Sequence, residues 1–176
     1  MKEFLKDLAF AVIIVLAITA VIKPTIVKES SMESTLFENN YLFVNKLAYK
    51  FKDHPNYGDI VIFKSDIDNY EDGGKKLLIK RVIATEGDTV TIEDGYVYRN
   101  GKLLDEPYVN EQGATYDDEG MEIDDFKVPQ DEVFCMGDNR EVSLDSRAPE
   151  VGTVPEEDIV GKAFIRLFPF NQITIL

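Results

Sequence analysis

Two adjacent serines, Ser30 and Ser31, lie in the stretch KESSMESTLFENN (28–40), a few residues after the one long apolar run of the chain. Serine-rich stretches are typical of solvated turns and linkers, and that interpretation gives the two residues no chemical role. The alternative is that one hydroxyl is a nucleophile held at a membrane surface. A serine hydroxyl is a weak nucleophile unless a base activates it, so this hypothesis requires a base elsewhere in the chain.

Lys80 is a candidate for that base. It lies in LLIKRVIA, and the two-residue period of a strand places it on one face with Leu78 and Val82, while Arg81 points the other way. An edge-strand lysine that prevents aggregation, or one that extends outward to solvent, explains the pattern equally well. Catalysis would require a neutral amine, and at the ordinary pKa only about one lysine in a few thousand is neutral at pH 7. Burial and the neighbouring guanidinium would both lower the pKa.

A third stretch, MGDNREVSLDSRAPEVG (136–152), is rich in alternating acidic and basic residues between two apolar segments. Gly-Asp-Asn is turn chemistry, so a polar loop is one interpretation. Closely spaced Asp and Arg near a core also indicate a buried hydrogen-bonded network, which could hold a lysine through a serine hydroxyl. The residues concerned are Asp138, Asn139, Arg140, Ser143, Asp145, Ser146 and Arg147.

Composition argues against several function classes. His54, the only histidine, lies in the polar stretch FKDHPNYG and is expected to be an ordinary surface residue, which argues against a Ser-His-Asp triad. Cys135 is the only cysteine and is expected to be a small buried hydrophobe, so no internal disulfide forms and a zinc site is not expected. The net charge of -14 disfavours nucleic acid as a partner.

The apolar run LAFAVIIVLAITAVI (8–22) predicts a membrane anchor, closed by Lys23 and Pro24. A signal-peptide core also fits a run of this length, but no clean small-x-small cleavage site follows it, which favours an uncleaved anchor. Lysines flank both ends, so the positive-inside rule does not decide the orientation. We expect residues 1–23 to form a cytoplasmic stub with the anchor, and residues 24–176 to form one domain on a single side of the membrane.

Beyond the anchor the pattern predicts a mainly β, antiparallel domain. A hairpin is predicted at 96–104 with Asn100-Gly101 as a type I′ turn, a helical turn at 46–51, and a solvated acidic insertion at about 105–132. The predicted strands cover 41–45, 59–63, 76–85, 89–93, 132–137 and 159–168.

Three separated segments, in order, resemble the type I signal peptidases, in the short form of Gram-positive bacteria with one N-terminal anchor. SSMESTL (30–36) is similar to the family's Ser-Met segment, and IKRVIATEGD (79–88) to its Lys-Arg segment. GDNREVSLDSR (137–147) matches the family's third segment at every fixed position. The resemblance covers nearly the whole chain.

The resemblance implies a serine endopeptidase that removes signal peptides from secretory pre-proteins after small residues, of the Ala-x-Ala type, without a cofactor or a metal. It makes Ser31 the nucleophile and Lys80 the general base, with Ser143 orienting Lys80. The supporting ion pairs that it implies are Asp145–Arg147 and Asp138–Arg81. Met32 and Ile79 are expected to line the substrate pocket.

The resemblance also implies a single-pass protein of the plasma membrane, in contact with lipid, with the catalytic domain outside the cytoplasm. Three departures stand out: Ser34 replaces a proline and should loosen the turn, Ala84 and Thr85 replace residues of a glycine turn, and Glu29 lies two residues before the nucleophile. A carboxylate facing a developing oxyanion would repel it, so we expect Glu29 to point to solvent. A non-catalytic homologue that acts as an assembly chaperone, and a self-cleaving Ser-Lys repressor relative, are the alternatives.

Overall fold

A computed structural model describes residues 1–51, 53–69, 73–116 and 123–176. Within these residues, one α-helix, α1 (Lys2–Val21), precedes twelve strands. The strands are β1 Ile22–Ile26, β2 Tyr41–Asn45, β3 Ile60–Asp68, β4 Lys75–Thr85, β5 Thr89–Glu93, β6 Tyr96–Arg99, β7 Lys102–Leu103, β8 Ile123–Lys127, β9 Glu132–Met136, β10 Val154–Pro155, β11 Ile159–Phe168 and β12 Thr174–Ile175.

The helix α1 contributes no buried residue to the β domain and contacts it at its C-terminal end, where Lys46 donates to the carbonyls of Thr19 and Val21. It is long and apolar enough to cross a membrane. The helix ends at Val21, and Ile22 is already extended. Pro24 favours this end, because proline has no backbone N–H to donate and disfavours helical backbone in the residue before it. The chain continues directly into β1, a strand that the sequence did not predict. Its proline is tolerated because β1 is the edge strand of its sheet.

Antiparallel pairing builds the larger sheet, in the order β1-β2-β11-β3-β4-β9-β10, with β12 beside β11. The mainly β, antiparallel class with one N-terminal apolar helix is confirmed. β4 pairs with β3 over Lys75–Arg81 but with β9 only over Arg81–Thr85. The described strands therefore leave one side of β4 unpaired between Lys75 and Lys80.

A smaller sheet has the order β7-β6-β5-β8. The predicted hairpin is confirmed, since Tyr98 pairs with Leu103 across a two-residue loop. Asn100 and Gly101 both have positive φ, of 53° and 70°, as a type I′ turn requires.

The helical turn expected at 46–51 is shorter than predicted: residues 46–49 form a turn, and the Lys50 N–H donates to the Leu47 carbonyl at 3.3 Å. One local expectation is wrong. The acidic insertion is not simply solvated, because β8 pairs with β5 and the side chains of Glu106, Thr115 and Val128 are buried. Its partners are distant in sequence, so local composition did not reveal them. Residues 117–122 of this insertion lie outside the described part.

Apolar packing positions the two segments that carry the serine and the lysine. Leu78 and Val82 pack with Phe63 and Val133 in one core cluster, which fixes the face of β4. Met32 packs with other apolar residues in a second cluster, which draws the serine-bearing segment onto the sheet. The buried partners of Met32 are Val27, Leu36, Leu42, Ile60 and Ala163.

Candidate active site

A short 3₁₀ turn, Ser30–Met32, carries the candidate nucleophile. Met32 is fully buried and anchors the turn, and Ser31 is 8% exposed. The backbone N–H of Asn139 donates to the Ser31 carbonyl at 3.1 Å, and the Asn139 side chain donates to the Ser30 carbonyl at 3.3 Å. The turn is therefore held by the packing of Met32 in the core and by the hydrogen bonds of Asn139, in the loop that follows β9.

Lys80 lies on β4 and reaches the same turn. Its side chain is 1% exposed, and its Nζ donates to Ser31 Oγ at 2.7 Å. Burial lowers the pKa of Lys80, against the opposing charges of Asp145 and Glu29. An amine with a lowered pKa can lose its proton and then accept one from the serine along this same contact.

Arg81, next along β4, joins the strand to the loop after β9. It donates to both carboxylate oxygens of Asp138, from Nε at 2.8 Å and from Nη2 at 2.7 Å. Burial lowers the pKa of Arg81, but the hydrogen bond and charge of Asp138 more than offset that effect and raise it. The hydroxyl of Thr35 also donates to Asp138, so this pair braces the segment after the nucleophile.

Asp145 and Arg147 form a second pair inside the same loop. Arg147 Nε donates to Asp145 Oδ1 at 2.8 Å, and the Gly137 backbone N–H donates to Asp145 Oδ2 at 2.9 Å. Burial raises the pKa of Asp145, but the hydrogen bond and charge of Arg147 outweigh it and hold the pKa below its usual value. The loop therefore carries a buried, compensated negative charge near Lys80.

Ser143 is buried beside the nucleophile turn. A Cβ on Gly137 would overlap both Ser143 Oγ and the Ser31 carbonyl oxygen, so these groups approach across the glycine. The Ser143 hydroxyl lies near Asp145 and helps to lower the pKa of that carboxyl, but within the described residues Ser143 Oγ makes no hydrogen bond of ordinary geometry. The expected hydrogen bond from Lys80 to Ser143 is thus not formed in this structure, where Lys80 donates to Ser31.

Several supporting contacts could not be predicted from the sequence. Asn139 and Arg140 lie within the third motif, but nothing local pointed to their contacts. Arg140 is buried in a pair with Glu106, at 2.5 Å, and also donates to Thr115 at 2.9 Å. The Tyr108 ring lies 4.0 Å from the Arg81 guanidinium carbon. The contacts of Arg140 with Glu106 and Thr115, and of Arg81 with Tyr108, fasten the acidic insertion to the site. Local sequence does not show them, because their partners are distant in the chain.

A groove of about 1350 Å³ leads to Ser31. One wall is the segment Thr25–Glu29 with Ser31 and Met32, and the other includes Ile79 and its neighbours on β4. Met32 and Ile79, the two expected lining residues, therefore both border this groove. The unpaired side of β4, from Lys75 to Lys80, lies along the same wall.

The three departures from the family pattern have structural compensations. Ser34 Oγ donates to the Tyr108 carbonyl at 2.9 Å, a tether that proline could not make. The turn after β4 still forms, because Asp88 accepts the Thr85 backbone N–H at 3.0 Å. Glu29 does not simply face solvent as expected: its carboxylate lies 2.7 Å from Lys76 Nζ on β4.

His54 and Cys135 lie where the sequence placed them. His54 is exposed and pairs with Glu156 at 2.8 Å, and that carboxylate raises the pKa of the imidazole. Cys135 is a free thiol, fully buried in the apolar cluster around β4, and burial raises its pKa. Neither lines the groove described above.

The fold and this constellation define a class of protein. An antiparallel β domain follows one apolar helix, and a buried lysine contacts a serine hydroxyl as the base does in a serine hydrolase.

Sequence comparison assigns the family. The family model described as "Signal peptidase, peptidase S26" matches residues 1–168, and the chain belongs to this family. It is 37% identical to a probable signal peptidase I-2 of Synechocystis sp., over 99% of this chain and 76% of the relative. It is 36% identical to a signal peptidase I of Bacillus licheniformis, over 97% of this chain and 90% of the relative.

Among solved structures, a signal peptidase I from Enterococcus faecalis V583 aligns with a TM-score of 0.47 at 27% identity. The alignment covers 62% of this chain and 97% of that one.

Proposed function

We propose that this protein is a membrane-anchored serine endopeptidase that removes N-terminal signal peptides from exported pre-proteins by a Ser31–Lys80 dyad. The observation that carries the proposal is the 2.7 Å contact between Lys80 Nζ and Ser31 Oγ, made by a lysine that is almost completely buried. Family membership supports the substrate class. Family likeness alone leaves the residues open, whereas this contact supports specific roles.

Acylation begins with Lys80 in its neutral form. Lys80 takes the proton from Ser31 Oγ as that oxygen attacks the scissile carbonyl, and the negative charge passes to the carbonyl oxygen. The Ser31 backbone N–H is the donor that we assign to this oxyanion. The lysine then gives its proton to the leaving amine, and the carbon–nitrogen bond breaks. The signal peptide remains as an ester on Ser31.

Deacylation repeats the proton transfers with water. Neutral Lys80 removes a proton from a water molecule, whose oxygen attacks the ester. The proton then passes from Lys80 to Ser31 Oγ as the ester bond breaks, and the peptide leaves with a new carboxyl end. Ser143 is assigned as a second hydrogen-bond partner that orients Lys80 when Nζ turns away from Ser31. Its buried position beside the nucleophile turn supports this role, because its hydroxyl makes no hydrogen bond of ordinary geometry among the described residues.

The substrate is proposed to add a strand to the unpaired side of β4. Residues 77–80 offer backbone groups there, and main-chain pairing binds an extended peptide without regard to most of its side chains. Ile79, which is partly exposed, gives the groove an apolar wall beside the buried Met32, and this wall favours small uncharged side chains next to the cleaved bond. This arrangement fits an Ala-x-Ala-type segment.

Cleavage of a synthetic peptide tests the proposal. Detergent-solubilised protein is incubated with a pre-protein peptide containing Ala-x-Ala, and the products are identified by mass spectrometry. We expect one cut after the second alanine. Ser31→Ala and Lys80→Ala should each lower the rate by about 10³-fold or more.

The matched controls are Ser30→Ala, which should retain most of the activity, and His54→Ala, which should retain all of it. Cleavage by Ser31→Ala at the wild-type rate would exclude the dyad. Binding of the peptide by the wild-type protein without any cleavage would favour the non-catalytic chaperone.

A further inference from the structure

An ion pair connects the two walls of the groove. Glu29 lies on the wall formed by residues 25–32 and Lys76 lies on β4, and both border the groove. Glu29 Oε1 and Lys76 Nζ are 2.7 Å apart, with side chains that are 50% and 36% exposed. We call these two residues the cross-groove pair. Since a peptide in the groove must run between the same two walls, it has to pass this pair.

The register of β4 indicates which part of a substrate the pair would meet. Lys76 precedes Lys80 by four residues, and a strand rises about 3.3 Å per residue, so it lies about 13 Å along β4 from the dyad. This step rests on the proposed function. A substrate strand beside residues 77–80, with its cleaved bond at Ser31, then brings its fourth or fifth residue before the cut to the cross-groove pair.

We propose that the cross-groove pair determines specificity, by selecting an uncharged substrate residue four or five positions before the cleaved bond. An uncharged side chain can bind while Glu29 and Lys76 remain paired. A charged side chain of either sign competes for one partner and leaves the other beside a like charge. The pair thus disfavours substrate side chains of either charge. This holds although other charged residues, of both signs, also line the groove.

The pair also compensates the charge of Glu29 near the dyad. The carboxylate of Glu29 acts to raise the pKa of Lys80, and the ammonium of Lys76 acts to lower it. The carboxylate of Asp145, which pairs with Arg147, and the thiol of Cys135 also act to raise the pKa of Lys80. An uncompensated carboxylate two residues before Ser31 would favour protonated Lys80 and would repel a developing oxyanion.

Charge variants of both partners test the inference with matched peptides. The peptides share one Ala-x-Ala segment and carry Gln, Glu or Lys at the fourth position before the cut, with a second set at the fifth. Glu29→Gln leaves Lys76 unpaired, and the ratio of kcat/KM for the Glu peptide to that for the Gln peptide should rise about two- to fivefold. Lys76→Gln should raise the Lys-to-Gln ratio by the same factor. The double exchange, Glu29→Lys with Lys76→Glu, should return both ratios towards wild type.

The pH profile gives a second readout with the Gln peptide. The rising limb of kcat/KM should move to lower pH in Glu29→Gln and to higher pH in Lys76→Gln, because the two charges act on Lys80 with opposite sign. Glu150→Gln and Lys50→Gln are the controls, since both residues are exposed and neither borders the groove. These controls make the same changes of net charge and should leave the ratios and the limb in place.

Two failures are distinguishable. If the wild-type protein cuts the Gln peptide and the peptide ratios of the Glu29 and Lys76 variants equal those of the controls, the inference on the pair is wrong and the proposed function stands. If the wild-type protein cuts none of the peptides, the proposed function fails and the inference fails with it. Thermal unfolding of each variant checks folding, which a half-exposed pair supports only weakly.

Discussion

At the scale of single residues, the balance of charge and burial around Lys80 decides what the site can do. The buried amine contacts Ser31, and Asp145, the carboxylate that acts most strongly on the pKa of this amine, is paired with Arg147. A free carboxylate at that place would keep Lys80 protonated, whereas a paired one opposes burial only in part. The arrangement lowers the pKa of Lys80, as a general base near neutral pH requires.

The lowered pKa predicts the pH dependence of cleavage. A base that must be neutral gives a kcat/KM that rises with pH through its own pKa, and burial places this rise below the ordinary lysine range. Steady-state cleavage of the synthetic peptide between about pH 5 and 11 measures the limb. A limb at the pH of an ordinary exposed lysine would contradict the role of Lys80 as a desolvated base.

Replacement of Lys80 by methionine separates catalysis from stability. The folded state disfavours the ammonium, so between the lowered pKa and the ordinary one the unfolded chain binds more protons than the folded chain. Lys80 therefore destabilises the fold below the ordinary pKa, and this penalty grows as pH falls until the folded pKa is reached. Lys80→Met should be inactive but at least as stable as wild type near pH 7, with an advantage that shrinks as pH rises towards the ordinary lysine pKa.

Thermal or denaturant unfolding at several pH values measures that difference. If Lys80→Met unfolds well below wild type at pH 7, Lys80 is a charged structural residue and the catalytic assignment fails. Arg81→Met is a useful contrast, because it leaves the buried carboxylate of Asp138 without its partner and should be destabilising by about 3–5 kcal/mol.

At the scale of elements, the loop between β9 and β10 acts as a brace for the other two motifs. Asn139 holds the serine turn, Asp138 holds Arg81 of β4, and Arg140 holds the acidic insertion through Glu106. Each contact joins segments that are far apart in the chain. The relative position of Ser31 and Lys80 therefore depends on this loop as much as on the strand and turn that carry them.

Gly137 is the point where the brace passes closest to the nucleophile. An added methyl group would overlap the Ser31 carbonyl oxygen and Ser143 Oγ, and the Ser31 carbonyl belongs to backbone that the core holds in place. We expect Gly137→Ala to cost about 1–3 kcal/mol of stability, measured by denaturant unfolding, and to reduce kcat by displacing Ser31 from Lys80.

Gly152→Ala is the matched control, since a Cβ at Gly152 meets open space, although its positive φ brings some strain. It should leave kcat close to that of wild type. Full activity in Gly137→Ala would contradict the proposed close packing at the nucleophile turn.

At the scale of the whole molecule, α1 and the β domain have separate roles. No residue of α1 is buried, so the domain does not depend on the helix for its core. The helix fits a membrane anchor, and its direct continuation into β1 keeps the sheet close to the end of the span. We propose that residues 1–23 include the cytoplasmic end and that residues 24–176 lie outside, where exported pre-proteins emerge.

Protease accessibility tests this orientation. Protease added to intact protoplasts should digest the β domain and leave a cytoplasmic marker protein untouched. Full protection of the domain, with digestion after the protoplasts are lysed, would show that the orientation is reversed.

The sequence by itself determined the parts of this protein that depend on local pattern. The apolar run predicted α1, β-branched alternation predicted β2 to β5, β9 and β11, and Asn100-Gly101 predicted the hairpin of β6 and β7, because each follows from propensities of neighbouring residues. Residue type and spacing raised Ser30, Ser31 and Lys80 as candidates, and the family resemblance chose Ser31 and Lys80 among them. Their roles came from the family resemblance.

Tertiary structure alone decided what depends on contacts between distant segments. Three of these contacts join residues between 34 and 109 positions apart: Glu106 with Arg140, Asn139 with the serine turn, and Glu29 with Lys76. The strand character of β8 depends in the same way on its pairing with β5. A buried charge is stable only where its partner is placed beside it, and local composition records neither the burial nor the partner. For that reason an acidic insertion expected to be solvated became part of the support of the site.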